Sequence, residues 1–95
     1  MLLFQIIGNN KYVLSLFLKS KKDGNLYIDS TDDLKRRPSE HNEGKVPSTK
    51  PRKPFLLRYY EAFHSESDAP KREVSLTKDG KAFARLKRRI SESLQ

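Results

Sequence analysis

Arg37 and His41 stand four residues apart, the spacing that puts two side chains on one face of a helix. A guanidinium binds a phosphate through parallel hydrogen bonds, and an imidazole orients a water or relays a proton. Side by side they describe the handling of a phosphate ester. An equally good reading makes His41 a helix-end residue that meets terminal carbonyls. More cations gather at Lys45, Lys50, Arg52 and Lys53, and again at Arg85, Lys87, Arg88 and Arg89. The 95 residues carry a formal charge of +8, with 8 basic and 6 acidic side chains in residues 1–48 against 12 and 6 in residues 49–95. Such a field points to a polyanion, nucleic acid first and an acidic membrane second, with the C-terminal half as the binding face. With no cysteine and two histidines, a disulfide framework, a thiolate zinc site and a histidine metal cluster are excluded. Any metal must rest mainly on carboxylates.

The elements that must position these groups fit one small domain. Residues 12–18 are strand formers, and Lys21-Lys22-Asp23-Gly24 is a turn before the short run Leu26-Tyr27-Ile28, so a β-hairpin is predicted. Residues 1–10 form an N-terminal arm or an extra strand, and residues 11–95 the domain. Ser30 or Thr31 caps a first helix with Asp32 and Asp33 in its first turn. Pro38 should kink or stop that helix near Arg37. Residues 41–54 are poor in apolar side chains and read as an exposed basic loop. Phe55 to Phe63 is a third strand. Ser65 or Ser67 caps a second helix that runs to about Lys78 with Pro70 harmless in its first turn. A third helix, from Lys81 to about Ser93, gathers Phe83, Leu86 and Ile90 on one face. Neither N-terminal apolar run is long enough for a membrane span, and no signal peptide is evident, which predicts a cytoplasmic protein without a membrane partner.

The ordered stretch from Leu26-Tyr27-Ile28-Asp29 through Thr31 and Arg37 to His41, followed by residues 52–61 and by Ser67-Asp68-Ala69-Pro70-Lys71-Arg72-Glu73, resembles the GIY-YIG nuclease domain. The likeness extends over about residues 11–90 and is nearest to small single-domain bacterial members similar to the nuclease module of the excinuclease C subunit. It implies an α/β (α+β) fold, a three-stranded antiparallel sheet flanked by helices. It also implies metal-dependent hydrolysis of DNA phosphodiester bonds and a role in DNA repair. By the same resemblance Tyr27, Arg37, His41 and Glu73 are the catalytic candidates, and Glu73 holds one Mg2+ or Mn2+ ion. Lys45, Lys50, Arg52, Lys53 and Arg88 are the DNA-binding candidates. Read without the resemblance, Glu73 is one half of an exposed helical ion pair with Lys71 or Arg72, and Tyr27 is a core aromatic.

The departures carry equal weight. The family's first motif falls on Leu14-Ser15-Leu16, so Leu16 stands where a tyrosine helps to activate water, and leucine cannot do that. Tyr12, four residues away along a strand, is a poor substitute. Asp29 replaces the glycine of Tyr-Ile-Gly and brings a negative charge to a place where phosphate should approach, so repulsion is expected. Pro38 disturbs the Arg37–His41 alignment. Two functions therefore compete: a weakened or inactive endonuclease, and a non-catalytic DNA-binding module of the same fold. A ribosome-associated basic protein would explain the composition and none of the ordered motifs.

Overall fold

The structure is a computed structural model and describes residues 12–95; the arm or extra strand expected over 1–10 lies outside the described residues. Three strands, β1 (Val13–Ser20), β2 (Leu26–Thr31) and β3 (Phe55–Phe63), form an antiparallel sheet in the order β2-β1-β3. The β1–β2 hairpin turns at Gly24, whose φ of 74° is a left-handed value that glycine adopts without strain. Between β2 and β3 lie helix α1 (Arg36–Asn42) and a 3-10 turn at Lys50–Arg52. Helices α2 (Asp68–Lys78) and α3 (Gly80–Arg89) follow β3.

Alternation along β1 divides the core in two. Leu14, Leu16 and Leu18 face one way and pack with Phe55, Tyr27, Leu34, Leu57 and Tyr60. Phe17 faces the other way, against Leu76 of α2, Leu86 of α3, Ile28, Tyr59, Phe83 and Ile90. The sheet thus lies between α1 on one side and the α2–α3 pair on the other. The fold class and the apolar face of the third helix match the sequence reading. A bulge between Phe17 and Leu18 pairs Phe17 with Tyr59 and Leu18 with Leu57, leaving Arg58 as the extra residue of β3. The Nε of Arg58 is buried and finds no partner among the described residues.

The first helix does not begin at Ser30 or Thr31, because those residues end β2. It does not stop near Arg37 either. Thr31 Oγ1 accepts the Asp33 N–H, and Asp33 Oδ1 accepts the N–H groups of Arg36 and of Lys35, the cap residue, so the start of the helix is held by a side chain that precedes it. Pro38 is then the third residue of α1, in a turn whose N–H groups lack intrahelical acceptors, and the helix runs through it. Gly44, with φ 75°, terminates it: the N–H groups of Gly44 and Lys45 bond back to the carbonyls of His41 and Glu40. The basic segment beyond is packed and not an open loop. Val46 and Thr49 are buried there, and the Asn42 side-chain amide exchanges hydrogen bonds with both the N–H and the C=O of Phe55. At the far end α3 closes at Arg89, short of Ser93, after starting one residue earlier with Asp79 as its cap.

Candidate active site and nucleic-acid interface

The site gathers on β2, an edge strand. Antiparallel register sets Leu16 of β1 directly opposite Asp29, and Leu18 opposite Tyr27, so these four side chains lie toward the α1 layer. Because α1 continues through Pro38, Arg37 and His41 do share a face, and that face looks onto β2. Both meet Asp29. Arg37 Nε donates to Asp29 Oδ2 at 2.6 Å, and His41 Nε2 lies 2.8 Å from the same oxygen. Asp29 Oδ1 accepts the Ser30 N–H at 2.9 Å, so both carboxylate oxygens are engaged. Arg37 also donates from Nη1 to Glu40 Oε1 at 3.1 Å. Asp29 foremost, with Glu40, pushes the guanidinium's pKa up against the opposing effect of burial.

His41 has no free nitrogen. A carboxylate only accepts, so Nε2 carries a proton toward Asp29, while Nδ1 sits 2.7 Å from Thr49 Oγ1. Thr49 donates to Nδ1 of a neutral ring or accepts from a charged one. The His41 side chain is 0% exposed, and the rings of Tyr27 and Phe55 stand edge-on to it at 5.5 Å and 5.8 Å. General-base chemistry needs an imidazole nitrogen within reach of a water or substrate, and this ring offers none. The expected repulsion between Asp29 and incoming phosphate takes a specific form: the carboxylate already occupies the two groups a phosphate would use.

Tyr27 packs half-buried against His41 and Phe55, with its hydroxyl 3.5 Å from Ser48 Oγ. Glu73 comes from α2, on the opposite layer, and reaches the same edge. With Tyr27, Asp29, Thr77 and Phe83 it lines an open pocket of about 430 Å3. Its carboxyl has no cationic partner among the described residues, contrary to the ion-pair reading with Lys71 or Arg72. Burial first, and then the charge of Asp29, raise its pKa from the ordinary glutamate value. No three metal-ligating side chains converge among the described residues. Leu16 is fully buried in the sheet's apolar layer.

The structure brings Tyr27, Arg37, His41 and Glu73 to one sheet edge and scatters the basic candidates. Arg52 is bound to Asp23, Nε to Oδ2 at 2.7 Å, which holds that carboxyl down to about 2, and its guanidinium lies over the Phe55 ring. Lys45 pairs with Glu43 at 2.9 Å. Lys50, Lys53 and Arg88 are exposed and make no ion pair among the described residues. Asp29 as a partner, Thr49 as the second support of His41, and the Asn42 clamp are the residues the sequence reading missed. Asp29 was visible as a substitution. What pointed to its role was that an arginine and a histidine at helical spacing follow an acid on a strand with only a short connection between them.

A model of the GIY-YIG catalytic domain matches residues 14–91. A UPF0213 protein of Staphylococcus saprophyticus is 36% identical over 74 residues, covering 77% of this chain and 85% of that protein. A UPF0213 protein of Streptococcus agalactiae is 41% identical over 60 residues, covering 62% of this chain and 68% of that protein. A third, from Halobacterium salinarum, is 42% identical over 55 residues, or 57% of this chain and 71% of that protein. No solved structure matches significantly. Among the described residues, no helix is long and apolar enough to cross a membrane. With the sheet order, the motif edge and a family match over most of its length, the chain belongs to the GIY-YIG catalytic domain family.

Proposed function

We propose that this domain binds DNA on the GIY-YIG scaffold and does not cut it. The observation that carries this reading is the single oxygen, Asp29 Oδ2, that holds both Arg37 and His41. Phosphodiester hydrolysis needs cationic donors for the developing charge and a base for the attacking water. Here the donor and the imidazole are both committed to an internal carboxylate, and leucine stands in the core where the family's first tyrosine belongs. Binding needs none of these groups. Phosphate contacts from exposed Lys and Arg give affinity without sequence preference, and the net charge of +8 supplies them.

A second reading, a slow endonuclease, is favoured by Glu73. An unpaired carboxylate held above its ordinary pKa suits a divalent cation, and a single Mg2+ or Mn2+ with one protein ligand, waters and a substrate phosphate is common coordination for such an ion. When bound, the ion would neutralise charge on the phosphate. Arg37, beside Asp29, and Tyr27, at the pocket wall, would be the groups of this chain that meet the substrate.

Nicking of supercoiled plasmid under single-turnover conditions with Mg2+ and with Mn2+, beside a fluorescence-anisotropy titration of duplex and branched DNA, separates the readings. We expect salt-sensitive binding and no metal-dependent nicking. Cleavage by the natural chain that disappears in Glu73→Ala would establish the second reading in place of the first.

A further inference from the structure

Away from the motif edge, α2 and α3 enclose a second pocket of about 180 Å3 lined by Arg72, Ala82, Arg85, Leu86 and Arg89. Residues 82, 85, 86 and 89 follow the spacing of a single helix face, so Ala82 and Leu86 form an apolar floor while Arg85 and Arg89 stand one turn apart at its rim. Arg72 closes the pocket from α2. Its guanidinium is fixed by a two-pronged bond to Glu61, Nε to Oε1 at 2.8 Å and Nη2 to Oε2 at 3.1 Å, and Tyr59 donates to the same carboxylate at 3.1 Å. Of the three guanidiniums, only that of Arg72 is paired with a carboxylate among the described residues. Arg85 and Arg89 are exposed and make no ion pair among the described residues.

From this arrangement we infer a phosphate-binding site, built by Arg72, Arg85 and Arg89, that grips the nucleic-acid backbone. The inference deepens the DNA-binding reading and rests on it. Two like charges at adjacent turns repel until an anion lies between them, and guanidinium forks match phosphate oxygens in a way lysine does not. Arg72 is held in place beforehand, which reduces the ordering needed on binding. Lys81 continues the row one turn before Arg85, so Lys81, Arg85 and Arg89 span about 12 Å at 1.5 Å per residue. That length matches several consecutive phosphates of one strand, each advancing about 3.4 Å along the duplex axis. A row of this length fits a polymer of phosphates better than a single small anion. None of these residues touches the Asp29 centre, so binding here is compatible with a closed catalytic edge.

The test compares the natural chain with Arg85→Gln/Arg89→Gln and with a charge-matched control, Lys21→Gln/Lys22→Gln in the exposed β1–β2 turn. Anisotropy titrations of a labelled 20-base-pair duplex are run across a salt series. The arginine pair should weaken binding by about tenfold or more and lower the log–log salt slope by about two, with a much smaller loss in the control. Equal losses in both variants, or no loss in the arginine pair, would overturn the site and leave only diffuse charge attraction. A pyrophosphate titration followed through the arginine Nε–H resonances separates the two readings. Shifts confined to the pocket arginines in a chain that does not bind duplex would keep the phosphate site and reject DNA as its partner. Unchanged arginine signals would reject the site itself. Circular dichroism of each variant shows that α3 is intact.

Discussion

Asp29 holds a guanidinium and an imidazole that would otherwise face each other across a half-buried edge. Its side chain is 15% exposed, against 30% for Arg37 and 0% for His41. Removing it strands a guanidinium and a buried imidazole, so Asp29→Ala should lower the unfolding free energy by about 2–3 kcal/mol, between the values for exposed and buried pairs. A urea-midpoint change no larger than for an exposed residue would show that the contact is incidental. Glu73 makes a prediction of opposite sign. Its folded-state pKa is raised, so the folded protein favours the proton, and the stability this contributes is present below the unfolded pKa and lost as pH rises through the folded value. Glu73→Gln should therefore match the natural chain in acid and exceed it in stability near pH 7, as read by thermal melts at the two pH values. If Glu73 holds an ion, added Mg2+ should narrow that gap by stabilising the natural chain alone.

At the scale of elements, Pro38 and Asp33 act together. With Asp33 holding the N–H groups of Lys35 and Arg36 and Pro38 in the first turn of α1, Pro38→Ala should change stability by less than about 1 kcal/mol, whereas Asp33→Ala should cost about 1 kcal/mol. A gain of 1–3 kcal/mol from replacing the proline, the result a strained helix would give, would contradict the cap placement. Much of this level is legible in the sequence. The hairpin shows in the Asp23-Gly24 turn, β3 in its run of aliphatic and aromatic residues, and α3 in the spacing of Phe83, Leu86 and Ile90. The start of α1 was not legible, because Ser30, Thr31, Asp32 and Asp33 are all good caps and only the pairing of β2 to β1 decides among them. Gly44 was a readable stop signal for α1 that Pro38 obscured. At the candidate site, the meeting of Tyr27, Arg37, His41 and Glu73 at one edge followed from motif order. The partners that close it, Asp29 and Thr49, depend on how a strand edge meets a helix and a buried turn, which local pattern does not encode.

For the whole molecule, the two sides of the sheet are attached by different forces. The α2–α3 side is an apolar layer built on Phe17, Leu76 and Leu86, while the only buried side chain of α1 is His41. Leu16 lies on the α1-facing side of the sheet, packed with Leu14, Leu18 and Phe55. Leu16→Tyr should overfill that layer and destabilise by about 1–3 kcal/mol, so restoring the family's tyrosine would not by itself yield a working enzyme. A melt unchanged by that substitution would mean that the tyrosine finds an exit to the surface. The polar attachment of α1 sets a hierarchy of motion. Helix α1 is tied to the sheet by Asp29, Thr49 and the Asn42–Phe55 clamp, with little hydrophobic area to hold it once those bonds part. Its amide hydrogens should therefore exchange with solvent through a local opening well below the global unfolding energy, while β1 amides exchange only when the whole chain unfolds. The segment that closes the motif edge is then also the first to detach, and the protein would visit, for brief intervals, a form in which Asp29 holds neither of its partners.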